Sequence, residues 1–378
     1  MISMSKLPNV GTTIFSVMSK LAHETSAINL SQGFPNFTVD TALTNILKDK
    51  ADQNIHQYTP MPGALELLTS VDSLIEKSYG RSINTEKELL ISAGATQGIF
   101  TTIMALIELG DEVIILDPSY DCYEPAVILA GGTPVRIPLD LSFRPDWNEI
   151  EHRTNSKTKM IITNNPHNPS GRVWSEQDFE ALETLASKND QLLILSDEVY
   201  EFITFDQKHI SINEREKLID RTIITSSFGK SFHITGWKMG YVVAPENLMI
   251  EIKKVHQFNV FSVNSVAQAC LSEYISKTDI STLGAFYKEK RNLFTQLLSG
   301  SKFKLDPCEG TYFQVADYSE ISSESDVDFC KTLTTKYGVA SIPLSVFNAN
   351  GRDDKKLRFC FAKDDDTLIK AAEKLCKI

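Results

Sequence analysis

The stretch QLLILSDEVY, residues 191–200, starts with an apolar run, and the polar residues Ser196, Asp197 and Glu198 follow that run. Four other apolar runs have the same form, and polar residues follow them at 93–96, 117–120, 164–168 and 226–227. Runs of this kind are typical of strands that are buried on both faces of a parallel sheet. Asn164, Asp197 and Lys230 are 33 residues apart (197 − 164 and 230 − 197), about one strand–helix–strand unit. The sequence therefore predicts an α/β fold with a mostly parallel sheet covered by helices.

The polar clusters predict where a ligand binds. In open α/β sheets, ligands bind beyond the carboxyl ends of the strands, which is where all five clusters fall. The last hundred residues have a different pattern. A helical pattern at roughly 281–298 precedes strand-like pieces at 310–314, 339–342 and 357–361. We interpret this part as a second, smaller α+β domain that the N-terminal segment completes.

The composition limits the class of protein. Of the 378 residues, 42% are hydrophobic and 23% are charged, as in ordinary globular proteins, and the net charge of −11 argues against nucleic-acid or anionic-membrane partners. The six cysteines form no Cys-x-x-Cys pair and the seven histidines lack ligand spacing, so we expect reduced thiols and no metal. Neither a signal peptide nor a membrane-spanning apolar run is evident, which favours a cytoplasmic location.

Lys230 lies in the small-residue loop SSFGKSFHITGWKMG, residues 226–240, and two chemistries fit it. As a P-loop lysine it would bind nucleotide phosphates, but a P-loop needs a glycine where this chain has Ile224. As a nucleophile its amine would bind a carbonyl group covalently. The missing glycine favours the second chemistry.

A possible phosphate site lies at Gly94–Thr96, between a strand and a helix. Free backbone N–H groups at a helix start bind anions, and Ser227 and Lys238 can reach the same anion. The alternative is an ordinary turn in which Thr96 caps the helix and Lys238 is a solvated surface lysine. No Gly-x-Gly-x-x-Gly pattern supports a dinucleotide at this place.

Two charged residues have alternative interpretations as well. Asp197 either caps the next helix or faces a cationic partner, because burial of an unpaired carboxylate is costly. Arg358, in Leu357–Phe361, lies opposite the apolar face of its strand; it either binds a carboxylate or points to solvent.

Taken together, these residues match the needs of pyridoxal phosphate and an amino acid. Asn168 and Tyr200 add hydrogen-bond donors at the same edge, and Tyr120 adds a flat aromatic face. Lys230 would attach to the aldehyde of the cofactor, and Asp197 would keep the pyridine nitrogen protonated.

On these residues the chain resembles the class I aminotransferases, vitamin B6 enzymes of the aspartate aminotransferase fold (fold type I). It is most similar to the branch of methionine and kynurenine aminotransferases. The motifs that carry the resemblance are NLSQGFPN (29–36), QY (57–58), AGAT (93–96), DPSYDCYEP (117–125), NPHNPSG (165–171), SDEVY (196–200), SSFGK (226–230), TGWK (235–238), VHQ (255–257), CEGTYF (308–313) and LRFCFAK (357–363).

The resemblance implies a role for each matching residue. The catalytic residues would be Lys230, Asp197 and Tyr200. The pyridoxal 5′-phosphate site would contain Lys230, Gly94, Ala95, Thr96, Tyr120, Asn168, Asp197, Tyr200, Ser227 and Lys238, together with Tyr58 from a second subunit. The substrate α-carboxylate would be bound by Gly33, Asn168 and Arg358. The substrate side chain would lie among Phe15, Phe261 and Tyr58.

The resemblance also implies a homodimer with shared sites. Each chain would have a large domain at 44–282 and a small domain formed by 1–43 and 283–378. Two positions depart from the family pattern. Ser170 replaces the commonest threonine, and Phe15 stands where some kynurenine-processing relatives have tryptophan.

The predicted activity is a ping-pong transamination between an amino acid and a 2-oxo acid. An aromatic-lined pocket favours methionine as the donor, and phenylalanine, tyrosine, leucine and glutamine also fit. No second arginine motif pairs with a distal carboxylate, so aspartate is disfavoured. The alternatives are a carbon–sulfur β-lyase or a kynurenine/glutamine transaminase of the same fold. A DNA-binding regulator and a nucleotide hydrolase are disfavoured, because neither a basic helix-turn-helix extension nor a complete P-loop is evident.

Overall fold

The computed structural model describes residues 5–8 and 10–378. The strands are β1 (Ile28–Asn29), β2 (Leu89–Ser92), β3 (Glu112–Asp117), β4 (Thr133–Pro138), β5 (Thr158–Asn164), β6 (Leu193–Asp197), β7 (Thr222–Ser227), β8 (Gly240–Val243), β9 (Lys304–Leu305), β10 (Phe313–Asp317), β11 (Val339–Ala340), β12 (Ile342–Pro343) and β13 (Lys356–Cys360). The α-helices are α1 (Ile14–Glu24), α2 (Thr41–Ala51), α3 (Leu65–Tyr79), α4 (Ala95–Leu106), α5 (Tyr123–Ala130), α6 (Trp147–Arg153), α7 (Glu176–Lys188), α8 (Glu216–Ile219), α9 (Phe228–Ser231), α10 (Glu246–Asn259), α11 (Ser265–Lys277), α12 (Leu283–Leu297), α13 (Asp326–Tyr337) and α14 (Asp365–Leu375).

The largest sheet has seven strands in the order β2-β8-β7-β6-β5-β3-β4. Its β3–β4, β3–β5, β5–β6 and β6–β7 pairs are parallel, whereas β8 runs antiparallel to both β7 and β2. The predicted mostly parallel sheet is confirmed. Alternate residues of its strands enter two separate cores: Ile161 and Ile194 pack into one, and Ile162 and Leu195 into the other. Both faces are therefore covered, as the continuous apolar runs predicted.

Two strands of this sheet were not predicted. Strand β4 contains two prolines, Pro134 and Pro138, which lower the strand propensity of the segment. The prolines are tolerated because β4 is at the edge of the sheet, where β3 is its one neighbour among the described strands. Strand β8 has four residues and directly follows the loop that carries Lys230. Its pairing with β2 and β7 depends on long-range contacts that short sequence patterns do not record.

The carboxyl ends of three parallel strands meet at one edge. Asn164, the last residue of β5, is the register partner of Asp197, the last residue of β6. Asp197 is in turn opposite Thr225 of β7, two residues before that strand ends. Helix α4 begins at Ala95, directly after its N-cap Gly94. The sheet thus gathers the predicted polar clusters.

A second group of strands follows the long helix α12, whose observed bounds are within two residues of the predicted ones. Strands β12, β13, β10 and β9 form an antiparallel sheet. Strand β1, from the N-terminal segment, pairs in parallel with β11 near the C-terminal end. This pairing agrees with a second unit built from both chain ends, although the boundaries at 43/44 and 282/283 stay predictions. Among the described helices, none is long and apolar enough to span a membrane.

Candidate active site

One cavity of about 270 Å³ lies at this edge of the sheet. Its floor comes from the ends of β5, β6 and β7, and one wall comes from β13 of the antiparallel sheet. The predicted site residues that line it are Phe15, Gly33, Gly94, Ala95, Thr96, Tyr120, Asn168, Asp197, Tyr200, Ser227, Lys230, Lys238 and Arg358.

The first feature of the cavity is a close approach between Gly94 and Lys238. Gly94 has a φ of +81°, a conformation that other residues rarely adopt. A Cβ added there would lie 3.5 Å from Nζ of Lys238. The first turn of α4 leaves backbone N–H groups without helical partners, so these groups and the lysine can bind an anion between them. Thr96 lies inside the helix and is not its N-cap, contrary to the alternative considered above.

Asp197 forms the buried end of the cavity and is only 3% exposed. The hydroxyl of Tyr123 donates to its Oδ2 at 2.5 Å, and the backbone N–H of Val199 donates to its Oδ1 at 3.3 Å. Burial raises the pKa of Asp197 to about 6, because desolvation disfavours the charged form. A turn follows Asp197, so the capping alternative is wrong. A cationic ligand atom beside it would stabilise its charge.

Lys230 extends from the single-turn helix α9 into the middle of the cavity. Its Nζ donates to the hydroxyl oxygen of Tyr312 at 2.9 Å and to the carbonyl oxygen of Gly33 at 3.3 Å. Desolvation lowers the pKa of Lys230 to about 8. A substantial fraction of the amine is therefore neutral near pH 7.5 and can act as a nucleophile or a base.

Arg358 also lines the cavity and is 1% exposed, so the solvent-facing alternative is wrong. Its Nη1 donates to Oδ1 of Asn168 at 2.7 Å, and its Nη2 donates to the carbonyl oxygen of Ser31 at 3.4 Å. Its Nε is buried and has no partner among the described residues. The Phe313 ring centroid is 3.9 Å from the guanidinium carbon. A buried guanidinium whose described hydrogen-bond partners are uncharged is suited to bind a ligand carboxylate.

Two tyrosines complete the walls. Tyr200 is buried, and its ring packs edge-on against that of Tyr312, with the centroids 5.3 Å apart. The hydroxyl oxygen of Tyr120 lies 3.5 Å from the hydroxyl oxygen of Thr96. Desolvation raises the pKa of both phenols well above the ordinary value, so they remain protonated donors at neutral pH.

A family model for class I and II aminotransferases matches residues 25–375. The chain belongs to this family. The aminotransferase is 44% identical to the methionine aminotransferase of Escherichia coli, over 99% of this chain and 98% of that one. It is 35% identical to human kynurenine–oxoglutarate transaminase 3, over 98% and 89% of the two chains.

Solved structures agree with these relatives. A crystal structure of an E. coli protein with methionine aminotransferase function matches the full length of both chains, with a TM-score of 0.97 and 44% identity. N-succinyldiaminopimelate aminotransferase from Mycobacterium tuberculosis matches 99% of both chains, with a TM-score of 0.95 and 31% identity. A double mutant of aspartate aminotransferase from Thermus thermophilus, at 24% identity and a TM-score of 0.90 over both whole chains, shows the shared fold. The protein is thus a transaminase of the aspartate aminotransferase fold.

Two of the predicted residues do not line the cavity of their own aminotransferase chain. Tyr58 is 82% exposed and Phe261 is 44% exposed, and their ring centroids are 5.4 Å apart. For Tyr58 this position agrees with the expected role in a second subunit. Phe261, which follows the end of α10 at Asn259, also lies outside the cavity of its own chain, and its contact with the substrate side chain stays a prediction.

Sequence reasoning missed two residues that contact the reactive groups, Tyr312 beside Lys230 and Tyr123 beside Asp197. Each lies in a motif noted above, at 308–313 and 117–125. No local pattern reveals these contacts, because the partners are 82 and 74 residues apart in sequence. Both tyrosines are buried, so either could also have been interpreted as ordinary core packing.

Proposed function

We propose that the aminotransferase uses pyridoxal 5′-phosphate, with methionine as its preferred amino donor. The observation that carries the proposal is that a single cavity holds the amine of Lys230, the buried carboxylate of Asp197 and the guanidinium of Arg358. The family uses this cofactor, and the chemical groups of the cavity fit it. Bound there, pyridoxal phosphate supplies an aldehyde and an electron sink for the bonds at the α-carbon of the donor.

The phosphate site would lie at the start of α4. The backbone N–H groups of Ala95 and Thr96, the hydroxyl of Ser227 and the ammonium of Lys238 would hold the phosphate. Only a glycine fits at position 240, beside this phosphate site, because a Cβ added there would lie 2.5 Å from the carbonyl oxygen of Ser226.

The other cofactor contacts follow from the remaining walls. Asp197 would face the ring nitrogen and stabilise its positive charge, which in turn would favour the ionised carboxylate. Tyr120 would stack on the ring. Tyr200 and Asn168 would hydrogen-bond the phenolic oxygen.

Lys230 would hold the cofactor through its amine, which would be free once the donor is bound. The free amine would then take the proton from the donor α-carbon as a base and give it back as an acid. A correctly placed group of this kind contributes roughly 10²–10⁴-fold to the rate. The donor would leave as a 2-oxo acid before a second 2-oxo acid binds, which makes the mechanism ping-pong.

Substrate choice would be set at the Arg358 end. Arg358 would bind the α-carboxylate, together with Asn168 and the Gly33 backbone. Phe15 lines the cavity, and its ring centroid is 5.3 Å from the guanidinium carbon of Arg358. Among the described residues that line the cavity, the cationic side chains are Lys230, Lys238 and Arg358. Each of them has a proposed role toward the cofactor or the α-carboxylate, so none of them would pair with a second carboxylate on the donor side chain. Aromatic neighbours favour a thioether or an aromatic ring.

A donor and acceptor panel on the purified holoenzyme tests this choice. We expect kcat/KM for methionine to exceed that for aspartate by roughly 10²-fold or more, because burial of an unpaired carboxylate costs several kcal/mol. Phenylalanine, tyrosine, leucine, glutamine and kynurenine complete the donors, and each is assayed with several 2-oxo acids. Aspartate turned over better than methionine would contradict the proposal. Pyruvate and ammonia formed from cystathionine without an acceptor would instead identify a β-lyase.

We also propose that two chains form a homodimer with shared sites. The exposed pair of Tyr58 and Phe261 supports this assembly, because aromatic side chains on a free surface are typical of subunit contacts. Tyr58 would reach the phosphate bound by the other subunit.

Mixing two inactive variants tests the shared site. Lys230→Ala chains and Tyr58→Ala chains, unfolded and refolded together, would form mixed dimers in which one site has both residues. With random pairing, about a quarter of all sites would be intact, and activity should recover to about that fraction. Lys230→Ala mixed with Arg358→Ala is the matched control, since both residues belong to one subunit's site and no intact site can form. Equal activity in the two mixtures would count against a shared site.

A further inference from the structure

Tyr312 connects the reactive lysine to the backbone beside the substrate site. Its hydroxyl oxygen lies 2.9 Å from Nζ of Lys230 and 2.7 Å from the carbonyl oxygen of Gly33. Nζ of Lys230 is also 3.3 Å from the same carbonyl. The three atoms form a closed triangle in which each pair lies within hydrogen-bond distance.

The direction of each hydrogen bond follows from the available protons. When Lys230 is protonated, its ammonium can only donate and the carbonyl oxygen can only accept, so the phenol donates its single proton to Gly33. The lone pair of the phenol oxygen then faces Nζ, and Lys230 is the donor in that contact. Tyr312 is fully buried, and desolvation keeps its pKa well above 10, so the phenol stays protonated. Two oxygen acceptors therefore converge on the lysine nitrogen.

We propose that Tyr312 is a positioning residue that receives the free amine of Lys230 and stabilises its protonated form during proton transfer. This inference rests on the proposed function, in which Lys230 takes a proton from the donor α-carbon. Once protonated, Lys230 can donate one N–H to the Tyr312 oxygen and another to the Gly33 carbonyl. The released lysine is thus held near the reacting atoms and does not move freely in the cavity.

The neighbouring Tyr287 offers a matched control. Its ring centroid is 5.5 Å from that of Tyr312, and both rings are fully buried. The Tyr287 hydroxyl, however, has no hydrogen-bond partner among the described residues. Tyr312→Phe and Tyr287→Phe each remove one buried oxygen from adjacent rings, but only the first removes a contact to Lys230.

Competitive acetylation of the cofactor-free protein measures the effect directly. Acetic anhydride modifies only the neutral amine, so the extent of labelling of the Lys230 peptide against pH gives the protonation midpoint of this lysine. In the wild type we expect a midpoint near the pKa of about 8. In Tyr312→Phe the ammonium loses one acceptor, and the midpoint should fall by roughly one pH unit, the effect of one charge-assisted hydrogen bond. Tyr287→Phe should keep the wild-type midpoint.

Steady-state kinetics of the two variants supply a second readout. Tyr312→Phe should lower kcat by about tenfold or more with little change in KM, because a misplaced base slows proton transfer but not binding. A deuterium isotope effect at the donor α-carbon should increase at the same time. A Tyr312→Phe midpoint equal to that of the wild type, or an equal shift in Tyr287→Phe, overturns the proposal.

Incorporation of 3-fluorotyrosine at position 312 keeps the hydroxyl and covers the case in which Tyr312→Phe does not fold. Its ¹⁹F signal in the cofactor-free protein should titrate with the same midpoint as Lys230 labelling, and a pH-independent signal overturns the contact. These labelling and ¹⁹F tests need neither cofactor nor substrate. Their failure is therefore distinguishable from failure of the methionine assignment, which the donor panel decides.

Discussion

The Lys230→Ala variant is expected to lose transamination, with kcat reduced by about 10⁴-fold, the upper end of the contribution of a positioned proton-transfer group. The variant removes the amine that would attach to the cofactor aldehyde and would move the α-proton as a base. The proposed phosphate site at Gly94–Thr96 and the proposed Asp197 contact are left unchanged, so pyridoxal phosphate should still bind noncovalently. Single-turnover assays with methionine and equilibrium dialysis with the cofactor measure the two properties separately.

The matched control for this variant is Lys217→Ala. The Lys217 side chain is 79% exposed and lies outside the cavity lining, so its removal should leave kcat unchanged. Wild-type turnover in Lys230→Ala would show that another group is the base. Loss of cofactor binding together with activity would instead indicate that the covalent bond, and not the phosphate site, supplies most of the affinity.

The Asp197→Asn variant should have the second largest effect. Asparagine can still accept the hydrogen bond from Tyr123, but it carries no charge to stabilise a protonated ring nitrogen. Removal of one partner of a buried ion pair costs roughly 3–5 kcal/mol, so kcat/KM should fall by about two to four orders of magnitude. Steady-state kinetics with methionine, together with cofactor titration, measure the loss.

The thermal stability of cofactor-free Asp197→Asn separates chemistry from folding. The folded-state pKa of Asp197 is raised to about 6, so above that pH the native protein holds an unfavourable buried charge. At pH 8 both the native and the unfolded wild type are ionised at this residue, and the charge lowers wild-type stability. The variant should therefore have a Tm at pH 8 equal to or above that of the wild type. The control is Asp190→Asn, a change at an exposed residue. If the Tm of Asp197→Asn is well below the Tm of this control, the variant loses activity because it misfolds.

The parallel sheet and its functional edge could be predicted because both depend on short patterns. The run at 191–195 is apolar on both faces, and its end at Asp197 follows from one abrupt change of polarity. The equal spacing of Asn164, Asp197 and Lys230 then predicts that the three lie near each other, which the sheet register confirms for Asn164 and Asp197.

Other features depend on contacts that local sequence does not encode. Arg358 is buried because Asn168, 190 residues away, and the Phe313 ring enclose it. The contact of Tyr312 with Lys230 likewise joins the residue before β10 to the helix α9 that follows β7. Strand β8 could not be distinguished from the adjoining loop, because its four residues have no alternation that marks a strand. The exposed ring of Tyr58 would have its proposed role only at the site of a second subunit, which local sequence does not reveal.

The proposed function depends on a covalent bond between Lys230 and pyridoxal phosphate. Borohydride reduction of the holoenzyme, followed by tryptic digestion and mass spectrometry, detects this bond. We predict that one peptide, containing Lys230, gains the mass of a reduced phosphopyridoxyl group, and that Lys230→Ala yields no such peptide. A modification on Lys238 or another lysine, or an unmodified digest from protein saturated with the cofactor, would rule out this attachment.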